Sequence, residues 1–236
     1  MTECIQSSFG FAALYQREVV AQFDGGDITT DAGGLLLREV DRQLRLTERL
    51  AGCFTDHRRA DQIEHQVREL VAQRLYGLAL GYEDLNDHDQ LRADPLMGVL
   101  VGKTEPQGTD RRRKQDQGKA GAGKSTLNRL ELTPANADAK ARYKKIVYDG
   151  DAMDRLLEAH AQPPERIVLD LDATDDPIHG NQEGRFFHGY YREYCYLPLY
   201  ILCGELVLCA RLRSSNIDAS AGALEEVKRI VTQIRA

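Results

Sequence analysis

The sequence contains no apolar run of membrane-spanning length, no secretory signal and no Cys-x-x-Cys pair. Residues 1–6 lack the basic region and the apolar stretch of a signal peptide, so we expect a cytoplasmic protein without a membrane span. The five cysteines are odd in number and fit reduced thiols better than a disulfide framework or a zinc site. These absences argue against membrane, secreted and zinc-binding classes.

Charge is distributed unevenly along the chain. The formal net charge of −6 argues mildly against a nucleic-acid partner, yet residues 110–145 hold eleven basic and four acidic side chains. This local excess of seven positive charges suits contact with DNA phosphates, although composition alone fits a solvated linker equally well. The candidate DNA-binding residues are Arg111, Arg112, Arg113, Lys114, Lys119, Lys124 and Arg129.

Two carboxylates alternate with aliphatic residues in the segment 166–174. Asp170 and Asp172 are two positions apart, so in a β-strand both would lie on the face opposite Leu169 and Leu171. Short apolar runs usually lie in the middle of a sheet, where an ionised carboxylate is costly to desolvate. A divalent metal ion would offset that cost, so we expect a metal site here; surface carboxylates beyond a strand end are the alternative.

The first hundred residues predict a small helical domain with one strand, at residues 19–23. The first helix should follow caps at residues 29–31 and bury an apolar stripe of Leu35, Leu36, Val40, Leu44 and Leu50. Further helices are predicted at residues 61–80, ended by Gly77 and Gly81, at residues 91–101, interrupted by Pro95, and at residues 143–161. The acidic residues 83–89 are interpreted as a connector that caps a helix.

The last seventy residues predict the acid-bearing strand, a polar connection and a hairpin before a final helix. The connection covers residues 175–189, the hairpin strands cover 196–203 and 206–213, and the helix starts at residue 219. Pro198 should lie near the beginning of its strand or at an edge. An RNase H-like domain begins with this order of elements, although topology alone is weak support.

Residues 118–125, with the sequence GKAGAGKS, match the phosphate-loop pattern G-x-x-x-x-G-K-[ST] at every defined position. That loop functions after an apolar strand, and the preceding RRRKQDQ cannot form one. We therefore expect no nucleotide cofactor and a flexible basic linker leading into a capped helix. A nucleotide-binding switch remains a further functional hypothesis, which ATP binding abolished by Lys124→Ala would support.

Four segments resemble the DDE transposases of bacterial insertion sequences. They are TTDAGGLLL at residues 29–37, GYEDLNDHDQLRADP at 81–95, STLNRLE at 125–131, and LDLDATDDP at 169–177 with His179, Gly180 and Gln182 behind it. The resemblance implies an RNase H-like catalytic domain in which three acids hold two Mg²⁺ or Mn²⁺ ions. It makes Asp172 the catalytic and metal-binding acid, Asp170 the second candidate, and the terminal inverted repeats of double-stranded DNA the substrate.

The same resemblance implies that the second and third acids follow later strands than this chain contains. We therefore expect a C-terminally truncated transposase that is inactive alone, with a non-catalytic DNA-binding remnant as the alternative, able to oligomerise with a full-length transposase and inhibit it. The fold class is α+β, a helical N-terminal region followed by three antiparallel strands and the first helix of an RNase H-like domain. The expected domains are 1–105, helical and DNA-binding; 106–125, a basic Gly-rich linker; 126–164, a helical connector; and 165–236, the partial catalytic domain.

An aromatic group lies between the acid-bearing strand and the hairpin. Its members are Phe186, Phe187, Tyr190, Tyr191 and Tyr194. Such side chains could stack on DNA, but we expect them to pack over a sheet.

Overall fold

The computed structural model describes residues 8–25, 28–132, 146–148, 166–178, 180–181, 184–204 and 206–235. The chain divides into two compact units, residues 1–150 and 151–236. The expected α+β class is confirmed at this level, since helices occur beside several small antiparallel sheets. The predicted boundaries at residues 105, 125 and 164 stay predictions.

The first unit opens with a β-hairpin, of which the sequence predicted only the second strand. Strands β1 (Ser8–Leu14) and β2 (Arg17–Gln22) pair antiparallel around Tyr15, whose φ of 54° is left-handed. Arg38 ties this hairpin to the first helix by donating to the carbonyl oxygens of Ala12, at 2.7 Å, and Ala13, at 3.3 Å.

Two helices, α1 (Gly34–Leu44) and α2 (Leu46–Ala51), replace the single predicted one, because Arg45 adopts a left-handed φ of 54° between them. Much of the predicted apolar stripe was wrong. Leu35 is buried, but Leu36, Val40 and Leu44 are exposed. Asp41 lies inside instead, where it accepts hydrogen bonds from the Thr47 amide and hydroxyl and from the Tyr76 hydroxyl. These polar contacts set which side of α1 faces inward.

The central helix of this unit is α3 (Val67–Ala79), which begins six residues later than predicted. Ala60–Gln62 form a 3₁₀ turn, and a capping box between Gln66 and Glu69 starts the α-helix. Gly77 lies inside the helix rather than marking its end. A Cβ at this position would come within 2.8 Å of the His88 ring. Leu70, Val71 and Ala72 are buried on both sides of α3.

Three short helices surround α3: α4 (His88–Leu91), α5 (Pro95–Val101) and α6 (Lys124–Leu132). Pro95 is the first residue of α5 rather than an interruption, and the Asp94 carboxylate accepts from the Leu96 amide at 2.8 Å. Two hydrophobic clusters result. One joins α1, α3 and α5, and the other packs Leu127 and Leu130 of α6 against α3.

A short sheet joins residues far apart in the first unit. Strand β3 (Phe54–Asp56) pairs antiparallel with β4 (Ile146–Tyr148). The prediction of a helix over residues 143–161 was therefore wrong for Ile146–Tyr148, which pair with β3 as a strand. The remaining residues of that predicted helix lie outside the described ones.

The second unit contains two three-stranded antiparallel sheets. The first has the order β10 (Leu206–Arg211), β9 (Leu199–Cys203), β5 (Asp170–Ala173). The second has the order β6 (Asp176–Pro177), β8 (Glu193–Tyr196), β7 (Phe186–His188). The predicted polar connection at residues 175–189 thus includes two strands. Pro198 immediately precedes β9, as predicted.

The last helix, α7 (Ala223–Ile234), covers one face of the first sheet. Ile230 is fully buried and packs with Leu199, Ile201, Leu208 and Cys209. The Asp218 carboxylate accepts from the Ser220 amide at 2.8 Å in the turn that leads into the helix. Among the described residues, no helix is long and apolar enough to cross a bilayer.

Candidate functional site

The acidic strand β5 lies beside β9, with Asp170 opposite Leu202 and Asp172 opposite Tyr200. Side chains two residues apart share a face of a strand, so both carboxylates lie on the face opposite Leu171. Leu171 is opposite the buried Ile201, which places the acids on the side of the sheet away from the core of α7. The sheet therefore presents two carboxylates together.

The desolvation argument for this strand was wrong. Asp170 and Asp172 are both exposed, and Leu171 remains 44% exposed. The reason is that β5 is the outer strand of its sheet among the described residues, so no neighbouring strand excludes water from the carboxylates. Exposure leaves both carboxylates accessible to a hydrated ion or to a phosphate group.

A tyrosine lies within the electrostatic reach of these acids. Desolvation raises the pKa of the Tyr191 hydroxyl, and the negative charges of Asp175 and Asp172 add to the rise. Tyr191 follows β7, so the turn between β7 and β8 approaches the acidic strand. Within the part of the chain that the structure describes, no group of three or more His, Cys, Asp or Glu side chains is arranged to hold a metal ion.

The described part of the basic segment, residues 110–132, packs within the first unit. Arg111 has a side chain only 12% exposed and donates to Glu64 Oε2 at 3.1 Å and to the carbonyl oxygen of Lys119 at 3.0 Å. His65 Nε2 lies 2.8 Å from the same guanidinium. Arg111 thus organises the segment from inside. The sequence could not show this, because Glu64 is 47 positions away.

The next basic side chains point outward. Arg112, Arg113 and Lys114 are exposed, and Arg113 and Lys114 line an open depression with Gln115. The Arg112 guanidinium also donates to the carbonyl oxygen of Asp61. Arg112, Arg113 and Lys114 are therefore three successive cations on one loop, which the largely buried Arg111 holds in place.

The other predicted DNA contacts have protein partners. The Lys119 ammonium donates to the Gln115 carbonyl at 3.0 Å. Lys124 is exposed at the start of α6 and donates to Asn86 Oδ1 at 2.9 Å, with Asp89 Oδ2 at 3.5 Å. Arg129 is exposed on α6 and also takes part in an interaction within the chain. The assignment of all seven residues to DNA binding stays a prediction.

Two glycines within the phosphate-loop match, Gly121 and Gly123, serve close packing. Lys114–Asp116 form a 3₁₀ turn where a phosphate loop requires a strand. A Cβ at Gly121 would lie 2.9 Å from Arg92 Cα, and one at Gly123 would lie 2.9 Å from the Arg92 guanidinium. Ala120 and Ala122, which alternate with these glycines, are buried. The segment 118–125 is therefore packed against the loop after α4 rather than flexible.

The expectation that the aromatic group packs over a sheet was largely wrong. Phe186 is 41% exposed, Phe187 57%, Tyr190 83% and Tyr194 50%. The cause is strand alternation in β7 and β8, which turns Phe187 and Tyr194 to the outer face while Cys195 is buried. These two short strands were not predicted from the sequence, so the sequence could not show which aromatic side chains face outward.

The family model described as Transposase DDE domain group 1 matches residues 11–236. The match includes the basic segment and β5. Comparison with curated proteins and with solved structures gives no match.

Proposed function

This chain belongs to the family Transposase DDE domain group 1, and we propose that it is the transposase of a bacterial insertion sequence. It would cleave phosphodiester bonds and transfer strands at the terminal inverted repeats of double-stranded DNA. The observation that carries the proposal is the family match, which extends over the strand with Asp170 and Asp172. The exposed pair of carboxylates and the exposed basic loop are the two chemical features that such a reaction needs.

The first sheet of the second unit, with the order β10, β9, β5, supports an RNase H-like arrangement. Its three strands are antiparallel, β5 and β9 and β10 follow one another across the sheet, and α7 comes next in the chain. In this arrangement the first acid lies on the first strand, and Asp172, which is followed by Ala173 and Thr174, takes that role. Asp170 shares its face and would assist it.

The donor set suits Mg²⁺ or Mn²⁺. DDE transposases generally use divalent metal ions, and Mg²⁺ is typically bound by one or two carboxylates, several waters and substrate phosphates. Asp172 and Asp170 supply exposed carboxylates of that kind. The bound ions would activate the attacking oxygen and stabilise the leaving oxygen. The chain itself contributes the fixed position of Asp172, which the β5–β9 pairing maintains.

Arg112, Arg113 and Lys114 would contact the phosphate backbone of the DNA. Their exposure on a loop fixed by Arg111 supports this role, because phosphate contacts position a protein on the duplex without reading its sequence. Lys119, Lys124 and Arg129 would extend the contact only by exchanging protein partners for phosphates. Arg111 acts as a positioning residue.

Divalent-ion-dependent cleavage tests the proposal, and cleavage by this chain alone would refute the expectation of a truncated transposase that is inactive alone. The purified chain is incubated with duplex DNA carrying the inverted repeat and with Mg²⁺ or Mn²⁺, and nicked products are separated on a denaturing gel. Asp172→Asn should lower cleavage on the order of a hundredfold or more, since it removes a metal ligand worth several kcal/mol. Glu225→Gln, an exposed acid on α7, is the matched control and should cleave as the wild type does. Cleavage that persists in Asp172→Asn would assign the chemistry to other residues.

A non-catalytic DNA-binding protein is the second candidate function. The observation that favours it is the lack of a three-member acidic cluster among the described residues. Such a protein would occupy transposon ends and inhibit a complete transposase. DNA binding without any cleavage, combined with inhibition of an active transposase of the same element, would select this function over the first.

A further inference from the structure

One face of the β7–β8 pair presents aromatic rings to solvent. Phe187 lies directly opposite Tyr194, with ring centroids 5.6 Å apart and ring planes at 71°. The two side chains are 57% and 50% exposed. Arg185 immediately precedes β7 and belongs to the same face, because its guanidinium lies over the Tyr194 ring. These three residues are called the aromatic face.

A cation lies against one of the rings. The guanidinium carbon of Arg185 is 4.8 Å from the centroid of the Tyr194 ring. The same guanidinium donates to the carbonyl oxygen of Gly180 and to Asn181 Oδ1, which holds its plane in place. Aromatic rings combined with a stacked arginine are the surface on which bases of single-stranded nucleic acid stack.

The size of the aromatic face suits a base better than a protein. A fully buried aromatic side chain covers roughly 150–250 Å², so two half-exposed rings offer on the order of 200 Å². A stable protein interface requires about 800 Å² from each partner. One or two nucleobases match the smaller area.

Neighbouring charge favours the base over the phosphate as the contacting group. Asp176 is exposed on β6 and lies opposite Tyr196, on the strand that also carries Tyr194. A carboxylate at this position repels a phosphate but not the uncharged face of a base. The ligand would therefore present its π-face to the rings and direct its backbone away from Asp176.

The aromatic face is close in the chain to the acidic strand. Strand β5 ends at Ala173 and β6 begins at Asp176, so only two residues separate the two sheets. The turn that joins β7 to β8 carries Tyr190, which is 83% exposed, and Tyr191, whose ring centroid is 5.0 Å from that of Tyr190. A nucleotide on this hairpin would lie near the proposed catalytic acid.

We propose that the aromatic face binds unpaired bases of DNA next to Asp172. This inference rests on the proposed function, because it assigns to the hairpin the nucleotides that leave the duplex near the cleaved bond. Stacking on protein rings offsets part of the cost of opening a base from the duplex stack. The contact is independent of base identity, since every base has a π-face.

Fluorescence anisotropy of the full chain with two labelled DNA probes tests the proposal. One probe is a blunt duplex, and the other is the same duplex with a short single-stranded extension that contains 2-aminopurine. The wild type should bind the extended probe more tightly and quench the 2-aminopurine. Phe187→Ala and Tyr194→Ala should each weaken binding of the extended probe about 5- to 100-fold and leave the blunt probe unchanged.

Controls separate stacking from folding. Phe187→Tyr keeps a ring and should retain the preference, whereas Phe187→Leu keeps an apolar side chain and should lose it. Phe23→Ala removes a 93% exposed ring in the first unit and should bind both probes as the wild type does. Circular dichroism of each variant verifies the fold, because an exposed cross-strand pair contributes only about 0.2–1 kcal/mol.

Four outcomes would overturn the inference. Equal affinity of the wild type for both probes, or ring variants that bind like the wild type, would refute the aromatic face while blunt-duplex binding keeps the proposed function intact. A change in oligomeric mass in Phe187→Ala, measured by light scattering, would assign the rings to a protein contact. Absence of binding to either probe would refute the inference and the proposed function together.

Discussion

Arg111 donates a hydrogen bond to the carboxylate of Glu64 at 3.1 Å across 47 positions of sequence. Both side chains are largely buried, with 12% and 23% of their surfaces exposed. The same guanidinium reaches the carbonyl oxygens of Lys119 and Gly121, so one residue fixes both ends of the basic loop. The loop's shape thus depends on a cation that is itself withdrawn from solvent.

Arg111→Ala should therefore destabilise the protein. The substitution leaves Glu64 and two carbonyl oxygens without their donor, and we expect a loss of about 2–3 kcal/mol in the free energy of unfolding. Urea denaturation followed by circular dichroism measures it. Arg113→Ala, an exposed arginine of the same loop, should change stability by less than about 0.5 kcal/mol. Equal effects of the two substitutions would contradict the internal role of Arg111.

Gly77→Ala should also destabilise the protein, although alanine is the better helix former. The helical preference of alanine is worth about 1 kcal/mol, but the new Cβ would lie 2.8 Å from the ring of His88, which is fully buried. Overpacking of this kind costs about 1–3 kcal/mol and should exceed the gain. Thermal unfolding provides the measurement. Gly33→Ala, where a Cβ meets nothing within 4 Å, is the control and should not lower the midpoint.

Periodicity predicted the existence of the main helices but not which side chains they bury. The amphipathic pattern of α1 indicated Leu36, Val40 and Leu44 as core residues, whereas Asp41 and Arg38 occupy the inner side. Those two polar residues are buried because Arg38 finds partners in β1 and Asp41 finds one in α2, at 2.6–3.3 Å. A hydrophobic pattern cannot register such partners, since they are distant in sequence.

The acidic strand shows a related limit. Alternation correctly predicted β5 and the shared face of Asp170 and Asp172, because side-chain direction in a strand is a local property. Burial of the carboxylates depends on which strands lie on either side, and local sequence does not specify that order. The loop at residues 118–125 illustrates the same point: it matches a phosphate-loop pattern, while its Gly121 and Gly123 lie closely against Arg92.

Acidification should weaken the first unit through His65. Burial lowers the pKa of His65 to about 2, and the charges of Lys103 and Arg111 act in the same direction. The folded pKa lies below the unfolded value of about 6.5, so the unfolded chain takes up the proton first as the pH falls. Stability is therefore complete above about pH 6.5 and declines at lower pH, by up to about 1.4 kcal/mol per pH unit.

Urea unfolding at pH 8, 6 and 5 measures this decline. His65→Gln removes the titrating ring and should reduce the slope between pH 6 and pH 5, while its amide oxygen can still accept from Arg111. Burial also lowers the pKa of His88, so part of the slope should remain in the variant. A slope that His65→Gln leaves unchanged would contradict the assignment of this pH dependence to His65.

Neutralising the outer cations of the basic loop should lower the salt dependence of DNA binding. Each phosphate contact contributes about 0.9 to the slope of log affinity against log salt concentration. Arg113→Gln with Lys114→Gln should therefore reduce the slope by about 1–2 and weaken binding for all duplex sequences alike. Lys228→Gln, which neutralises one exposed lysine on α7, is the control and should preserve the slope. Anisotropy titrations from about 50 to 200 mM salt supply the slopes, and an unchanged value in the double variant would place the DNA contact elsewhere on the chain.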